Sequence, residues 1–203
     1  MDGIVRRSVL GAGLLLASAP RSLAAGSKPR VAIKTSHGTI VVELEAQKAP
    51  LTSANFLHYV EAHKYDGGSF YRANRTPGSP KDGTIVGGMA PKQRPFPPIA
   101  HESTTMTGLR HKAGTISLGR YAPGSATADF FICAADEPYL DAHPHAKVTK
   151  DDDQLGYAAF GQVVQGMAVV HKILALPTPG KSRFPGMEGQ WLDPVVPISM
   201  RRV

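Results

Sequence analysis

The sequence has very little cysteine: Cys133 is its one thiol in 203 residues. No disulfide can therefore form within the chain, and a folded domain must be held together by its apolar core. Cys133 follows Phe131 and Ile132, which predicts a buried thiol. A nucleophilic cysteine needs a base and an electropositive setting, which this segment does not offer, so a thiol-dependent enzyme is disfavoured.

The sequence also lacks an apolar run long enough to cross a membrane, for which about 20 residues are needed. The apolar run from Val9 to Ala19 follows Arg6 and Arg7 and precedes small residues up to Ala25, an order typical of a secretory signal. We therefore expect residues 1–25 to be a signal peptide, cleaved to release an exported, periplasmic domain of residues 26–203. The paired arginines suit either the Sec or the twin-arginine route. An uncleaved anchor is the alternative, which the small residues disfavour.

Concentrated charge is missing as well. The formal net charge is +7, but no run of lysine and arginine is longer than two residues. This pattern favours a basic soluble surface over a nucleic-acid interface. There is no Gly-x-Ser-x-Gly elbow and no phosphate-binding glycine loop, so the hydrolase and nucleotide-binding classes have no support.

What the sequence does contain is a series of short, alternating apolar segments. Residues 31–35 and 40–44 alternate on either side of His37-Gly38, which predicts a β-hairpin. Pro50 opens a helical stretch, and a second one with apolar residues from Met167 to Leu174 must end before Pro177. Many short strands, two helices and no βαβ rhythm predict one mainly-β domain, a closed antiparallel barrel.

The middle of the chain is rich in glycine and proline. We expect the segment from Gly67 to Ser125 to form short strands joined by long loops, one of them from Ala73 to Asp82. Phe130 to Cys133 is predicted to be a strand with Phe130 in the core. The polar stretch from Asp141 to Gln154 is predicted to be an exposed insertion.

From Val31 to Met200 the order of elements and several short strings resemble the cyclophilin family. The strings are Gly38-Thr39-Ile40, Ala49-Pro50, Ala54-Asn55-Phe56, Phe70-Tyr71-Arg72, Gly87-Gly88, Gly114-Thr115-Ile116-Ser117, Phe130-Phe131-Ile132, Tyr139-Leu140-Asp141 and Phe160-Gly161-Gln162-Val163. The resemblance implies a closed eight-stranded barrel capped by two α-helices, with a substrate groove on its outer wall. It also implies peptidyl-prolyl cis-trans isomerase activity on proline-containing peptides and unfolded protein segments.

The chemistry of that reaction can be stated independently. The X-Pro bond resists rotation with a barrier of about 18–20 kcal/mol, because the nitrogen lone pair is delocalised into the carbonyl. Twisting returns the lone pair to nitrogen, so a fixed donor near that atom stabilises the transition state more than either planar state. An apolar pocket must hold the proline ring. No metal, cofactor, nucleophile or proton relay is required.

By resemblance, Arg72 is the catalytic residue, whose guanidinium offers several donors in a rigid fork. Phe131 matches the floor of the family's proline pocket, and Leu140 matches its wall. Tyr157 stands where many members have histidine, and Tyr139 where a rim aromatic is often found. The competing interpretation of each apolar residue is plain core packing.

The sequence departs from the family's pattern in the groove. The family's Phe-Met-x-Gln string is replaced by Gly83-Thr84-Ile85-Val86, so Val86 stands where a glutamine would contact the peptide. A second family glutamine is Asp129, and an Ala-Asn-Ala stretch becomes Gly119-Arg120-Tyr121. Either Tyr121, the 73–82 loop or the 95–98 stretch refills the groove, or the protein is a non-catalytic peptide-binding or chaperone-like module.

Two metal-binding hypotheses are weaker. The first is a site formed by four histidines, His101, His111, His143 and His145. The second is a calcium loop formed by the run from Asp151 to Asp153. The histidine spacing fits no zinc motif, and the aspartates lack the alternating ligands and glycine turn of a calcium loop. We therefore expect no bound metal. We also expect the protein to be a monomer.

Overall fold

The computed structural model describes residues 28–149, 153–182 and 184–203. These residues form eight strands and three α-helices. The elements are β1 (Arg30–Thr35), β2 (Gly38–Leu44), α1 (Pro50–Glu61), β3 (Gly68–Thr76), β4 (Ser79–Gly88), α2 (Thr104–Thr107), β5 (Thr115–Leu118), β6 (Phe130–Cys133), β7 (Ala158–Gln165), α3 (Met167–Leu174) and β8 (Trp191–Arg202). A 3₁₀ turn covers Pro138–Leu140. The predicted signal peptide, residues 1–25, lies outside the described residues.

The strands form one closed antiparallel barrel in the order β1-β2-β7-β5-β6-β4-β3-β8. The predicted fold class is thus confirmed, with the one-turn helix α2 as an addition to the two predicted helices. Alternation decides which side chains fill the barrel: Val31, Ile33, Ile40, Val42 and Leu44 are all fully buried. Burying a side chain of this size contributes about 1.5–3 kcal/mol, and this burial fixes the register of the first hairpin.

Helix α1 closes one side of the barrel through an aromatic cluster. Phe56 packs against Tyr65, Phe130 and Phe160 with ring centroids 5.2–5.8 Å apart. Phe130 also meets Phe70 edge to face at 5.6 Å. All five rings are nearly or fully buried, so the expectation that Phe130 belongs to the core is confirmed.

The amino end of α1 is capped from a distant loop. Ala49 precedes the helix and offers no side-chain acceptor. Instead the buried Glu102 carboxylate accepts the backbone N–H groups of Leu51 (3.2 Å) and Thr52 (2.8 Å) and the Thr52 hydroxyl (2.7 Å). A negative charge at this end also complements the helix dipole.

The expectation of a long loop from Ala73 to Asp82 is wrong. Strands β3 and β4 continue through most of it as a hairpin, with Ala73 paired to Ile85 and Thr76 to Ser79. Arg75 fixes this extension because its guanidinium donates to the carbonyls of Leu174 and Leu176 at the end of α3. The hairpin therefore stands as part of the barrel wall.

Two other loop segments, residues 95–98 and 143–149, differ in how they pack. In the 95–98 stretch, Phe96 stacks on His58 (3.9 Å between centroids) and packs on Tyr59 of α1 (4.8 Å). It therefore packs on the helix side, and the idea that this stretch refills the groove is wrong. Residues 143–149 are all exposed, as predicted for this part of the 141–154 insertion.

Within the described ranges, no helix is both long enough and apolar enough to span a membrane. The same residues contain no group of three histidine, cysteine or acidic side chains arranged to hold a metal ion. Asp151 and Asp152, two of the three residues of the calcium hypothesis, lie outside the described residues.

Candidate active site

A groove of about 350 Å³ opens on the outer wall of the barrel. Its lining includes every site residue predicted from the sequence, namely Arg72, Val86, Tyr121, Asp129, Phe131, Tyr139, Leu140 and Tyr157. Strand register explains the centre of the groove: Arg72 of β3 pairs with Val86 of β4, which pairs with Phe131 of β6. With strands about 4.8 Å apart, Arg72 and Phe131 lie roughly 10 Å apart across the sheet.

Arg72 lies half-buried at one end of this row. Its Nε donates a hydrogen bond of 2.7 Å to the side-chain oxygen of Gln190. Among the described residues its two terminal nitrogens have no protein acceptor, so these donors remain available to a ligand. Burial lowers the pKa of Arg72, while nearby tyrosines, Tyr71 first, act in the opposite direction.

A small apolar cluster lies at the other end. Phe131, Cys133 and Leu140 are buried together, with Val86 and Tyr157 packed against them. The Tyr157 ring meets Phe131 edge to face, at 89° and 5.3 Å. Phe130 and Phe131 thus point to opposite faces of β6, one into the barrel and one into the groove. The arrangement suits a proline ring held against Phe131.

A buried polar triad lies behind Phe131. His111 stacks on the Phe131 ring at 5.8 Å, and its Nδ1 and Nε2 hydrogen-bond Asp141 (2.7 Å) and Ser117 (3.0 Å). Ser117 is fully buried, so it cannot act as a nucleophile on a groove ligand. Burial lowers the pKa of His111, and the Asp141 carboxylate opposes this shift. With both ring nitrogens engaged, His111 supports the floor of the pocket and does not suit the proposed metal cluster.

The rim near Tyr157 is held by Arg120. Its guanidinium makes two hydrogen bonds to the Asp153 carboxylate, of 2.6 and 2.8 Å, and two to the Gly156 carbonyl, of 2.9 and 2.6 Å. It also lies 5.2 Å from the centre of the Tyr157 ring. The hydrogen bond to Arg120 lowers the pKa of Asp153. Asp153, expected in an exposed insertion, is instead partly buried against Arg120, and the two ends of that predicted insertion, Asp141 and Gln154, are buried.

Aromatic side chains border the mouth of the groove. Tyr121 and Tyr139 are 85% and 56% exposed. Partial desolvation, followed by the charge of Glu137, raises the pKa of Tyr139 to about 12. Tyr121 borders the groove, but at this exposure its side chain does not refill it as one hypothesis required.

Asp129 lies in the groove wall beside Tyr71. Desolvation raises the pKa of the Asp129 carboxyl, and a hydrogen bond from Tyr71 opposes the shift. Its carboxylate lies directly against Gly88, where any Cβ atom would collide with it. Gly88 is therefore required for this close approach.

Among the groove residues that were not predicted, four lie between Phe184 and Trp191. Phe184, Met187 and Trp191 line the groove, and Gln190 contacts Arg72 from behind. They come from the loop after α3 and the first residue of β8, and they reach the site because Trp191 pairs with Arg72 across β3 and β8. The sequence signal was the pair Gln190-Trp191 ahead of the apolar residues of β8, which local patterns cannot place beside Arg72.

Comparison with known proteins agrees with this architecture. Residues 30–189 match the family described as cyclophilin type peptidyl-prolyl cis-trans isomerase/CLD. The chain belongs to this family. Curated cyclophilins are similar to it: peptidyl-prolyl cis-trans isomerase A of Dickeya dadantii (strain 3937) is 37% identical over 158 residues, 77% of each chain.

A second relative, peptidyl-prolyl cis-trans isomerase B of Escherichia coli (strain K12), is 36% identical over 154 residues, 73% of this chain and 85% of its own. A crystal structure of a cyclophilin type peptidyl-prolyl cis-trans isomerase from Cryptosporidium parvum superposes with a TM-score of 0.58. It covers 86% of this chain and 98% of its own at 18% identity, which supports the cyclophilin fold.

Proposed function

We propose that this cyclophilin isomerises X-Pro bonds with Arg72 as its catalytic residue. The family's activity is peptidyl-prolyl cis-trans isomerisation, and relatives at 36–37% identity carry that name. The observation that carries the assignment of Arg72 is its position: its terminal donors face no protein acceptor within the described residues, and it shares one groove with the Phe131 pocket.

The mechanism follows from this geometry. The proline ring binds against Phe131, Leu140 and Tyr157, which leaves the imide nitrogen toward Arg72. As the amide twists, its nitrogen lone pair becomes an acceptor and the guanidinium donates to it. Planar cis and trans amides lack this acceptor, so the interaction stabilises the transition state selectively.

The substituted positions leave a second hypothesis, a non-catalytic proline-peptide-binding or chaperone-like module. Its support is Val86, whose side chain has neither donor nor acceptor at the centre of the groove. The contact between Gln190 and Arg72 favours the catalytic hypothesis, since it supplies an amide group beside the guanidinium.

The deciding experiment is an isomerisation assay on a short X-Pro peptide with the mature domain. We expect catalysis by the parent and a loss of about 100- to 1,000-fold in kcat/KM for Arg72→Ala, the cost of removing one preorganised donor. Arg202→Ala is the matched control, because Arg202 is exposed and, within the described part of the chain, its side chain forms an ion pair with the exposed Glu61. If the parent binds the peptide without accelerating isomerisation, the binding-module hypothesis replaces the catalytic one.

The partners we propose are proline-containing segments of unfolded proteins, bound by a monomer. The exposed tyrosines at the groove mouth and the open groove support extended peptide ligands. The dispersed positive charge supports the expectation that nucleic acid is not a partner. Size-exclusion chromatography with light scattering tests the monomer, and a dimer mass would contradict it.

We also propose export to the periplasm by an amino-terminal signal cleaved after residue 25. The support is the order of charged, apolar and small residues in the first 25 positions. Amino-terminal sequencing of protein from a periplasmic fraction should begin at Gly26. An Arg6→Lys, Arg7→Lys double variant that loses export identifies the twin-arginine route, and one that keeps it identifies Sec.

A further inference from the structure

The groove-wall segment, residues 178–182 and 184–191, runs from α3 to β8 beside the groove. It is fixed at both ends: the Thr178 hydroxyl donates to the Gly189 carbonyl (2.6 Å), and the Gly180 N–H donates to the Trp191 carbonyl (3.0 Å). The Arg75 guanidinium binds the Thr178 hydroxyl oxygen at 2.8 Å. The segment is therefore held against the β3–β4 hairpin as a second wall.

Gln190 touches Arg72's strand at two levels. Its backbone carbonyl accepts the Ala73 N–H at 2.8 Å, and its side-chain oxygen accepts the Arg72 Nε–H at 2.7 Å. The guanidinium is planar, so one fixed Nε bond restricts the plane in which the two terminal nitrogens lie. Val86, which pairs with Arg72 on the other side, has no polar side-chain atom to do this.

We propose that Gln190 is a positioning residue for Arg72 and takes over an orienting role that Val86 cannot perform. The proposal rests on the proposed function, because it assigns Gln190 a part in the same reaction. A positioning role can be distinguished from a purely structural one, because the proline pocket around Phe131 lies across the groove from Gln190. Losing the Gln190 side-chain oxygen should disturb the chemical step and leave peptide binding intact.

The test compares Gln190→Leu, which removes the acceptor at similar size, with Gln190→Glu, which keeps it. We expect kcat to fall roughly 10- to 100-fold in Gln190→Leu, the effect of a misplaced catalytic group, with the peptide Kd unchanged. Gln190→Glu should keep most of the parent kcat. Unchanged kcat in Gln190→Leu, or an equal loss in both variants, overturns the proposal.

An NMR measurement separates this proposal from the proposed function. The Arg72 Nε–H resonance, assigned by its loss in Arg72→Lys, should be protected from exchange in the parent and in Gln190→Glu. It should exchange rapidly in Gln190→Leu. An inactive parent overturns the proposed function, whereas an Nε–H that stays protected in Gln190→Leu overturns the role of Gln190, whatever the activity.

A second observation concerns the aromatic part of the same segment. Trp191 stacks on Tyr71 of β3 (5.7 Å, 20°), and Phe184 stacks on Trp191 (6.2 Å, 26°). The Trp191 indole N–H donates to the Ser182 hydroxyl at 3.2 Å, which fixes the ring. Phe184 remains 44% exposed although it lines the groove.

The geometry points to a subsite for an aromatic or large aliphatic side chain adjacent to the proline of the bound peptide. The occupant is a substrate side chain because this surface is continuous with the groove, next to Arg72, and opposite the Phe131 pocket. Phe184 and Met187 supply the apolar contact, and the fixed Trp191 ring supplies a stacking surface at little entropic cost. This assignment also rests on the proposed function.

The probes are two sets of short peptides in which the residue before or after proline is Phe, Leu, Ala or Asp. In one of the sets, kcat/KM of the parent should be about tenfold higher for Phe than for Ala, an apolar contact of about 1.4 kcal/mol. Phe184→Ala should reduce this Phe-to-Ala ratio. The matched control Leu51→Ala, at a similarly exposed position on α1, should keep the parent ratio.

Two outcomes overturn the subsite. One is a parent that shows no preference for Phe over Ala in either set, and the other is a ratio that Phe184→Ala leaves unchanged. Both are distinct from failure of the proposed function, which would show as an inactive parent on all the peptides.

Discussion

At the scale of single residues, neighbouring positions on one strand face opposite sides of the sheet. Phe130 is fully buried in the barrel, whereas Phe131 faces the groove and packs against Tyr157. The alternation of a strand produces this division, so both positions could be predicted from the sequence. Gln190 could not, because its hydrogen bond to Arg72 joins residues 118 positions apart.

His111 should make folding stability depend on pH. Its folded-state pKa is lowered by burial, so below the unfolded value of about 6.5 the unfolded chain binds a proton that the folded chain refuses. This contribution to stability is complete above that pH and is lost as the pH falls. The slope is at most about 1.4 kcal/mol per pH unit for one proton.

Urea unfolding at pH 7.5 and pH 5.5 measures this effect. The decline in free energy of unfolding between the two values should be smaller in His111→Gln than in the parent. His63→Gln, at an exposed position, serves as the control and should decline like the parent. An equal decline in all three proteins would show that His111 is not responsible.

At the scale of elements, α1 depends on a charge from outside its own sequence. Glu102→Gln should lower the free energy of unfolding by about 1–3 kcal/mol, because the buried carboxylate binds two backbone N–H groups and a hydroxyl. Chemical denaturation measures the loss. Glu61→Gln, at the exposed far end of the same helix, should cost less than about 0.5 kcal/mol. Equal losses would contradict the capping role.

Arg120 links the 153–157 segment to the proline pocket. In Arg120→Met, the Asp153 pair and the Gly156 contact are lost and Tyr157 loses its neighbour. We expect the Kd of a proline peptide, measured by calorimetry, to rise about tenfold, equivalent to roughly 1.4 kcal/mol. Lys112→Met, which breaks an exposed pair with Asp136, should leave the Kd unchanged. If Arg120→Met and Lys112→Met both keep the parent Kd, Arg120 is not needed to hold the rim.

Elements with local signals were predictable, and elements held by distant partners were not. The first hairpin and α1 are marked by alternation and by Pro50. The sequence predicts a loop at the end of the β3–β4 hairpin because Pro77, Gly78 and Pro80 interrupt any apolar pattern. Its strands are instead fixed by the Arg75 contacts with the end of α3, which no local pattern encodes. The groove-wall segment was missed for the same reason.

At the scale of the whole molecule, Cys133 reports on the integrity of the barrel. The thiol lies on β6, is fully buried, and has its pKa raised by burial. A thiol reagent should label the native protein at least about 1,000-fold more slowly than the urea-unfolded protein, since access requires global opening. Labelling followed by mass spectrometry measures the ratio. Rapid labelling of the native protein would show that β6 opens locally.

The closure of the barrel has a consequence for biosynthesis. Strand β8 pairs with β1 on one side and with β3 on the other, and the Val203 N–H donates to the Arg30 carbonyl. A chain growing from its amino end exposes two unpaired strand edges until residues 191–202 have left the ribosome. The barrel therefore cannot close before its last strand is available. Until that strand emerges, the nascent chain presents the extended, unpaired backbone that chaperones bind.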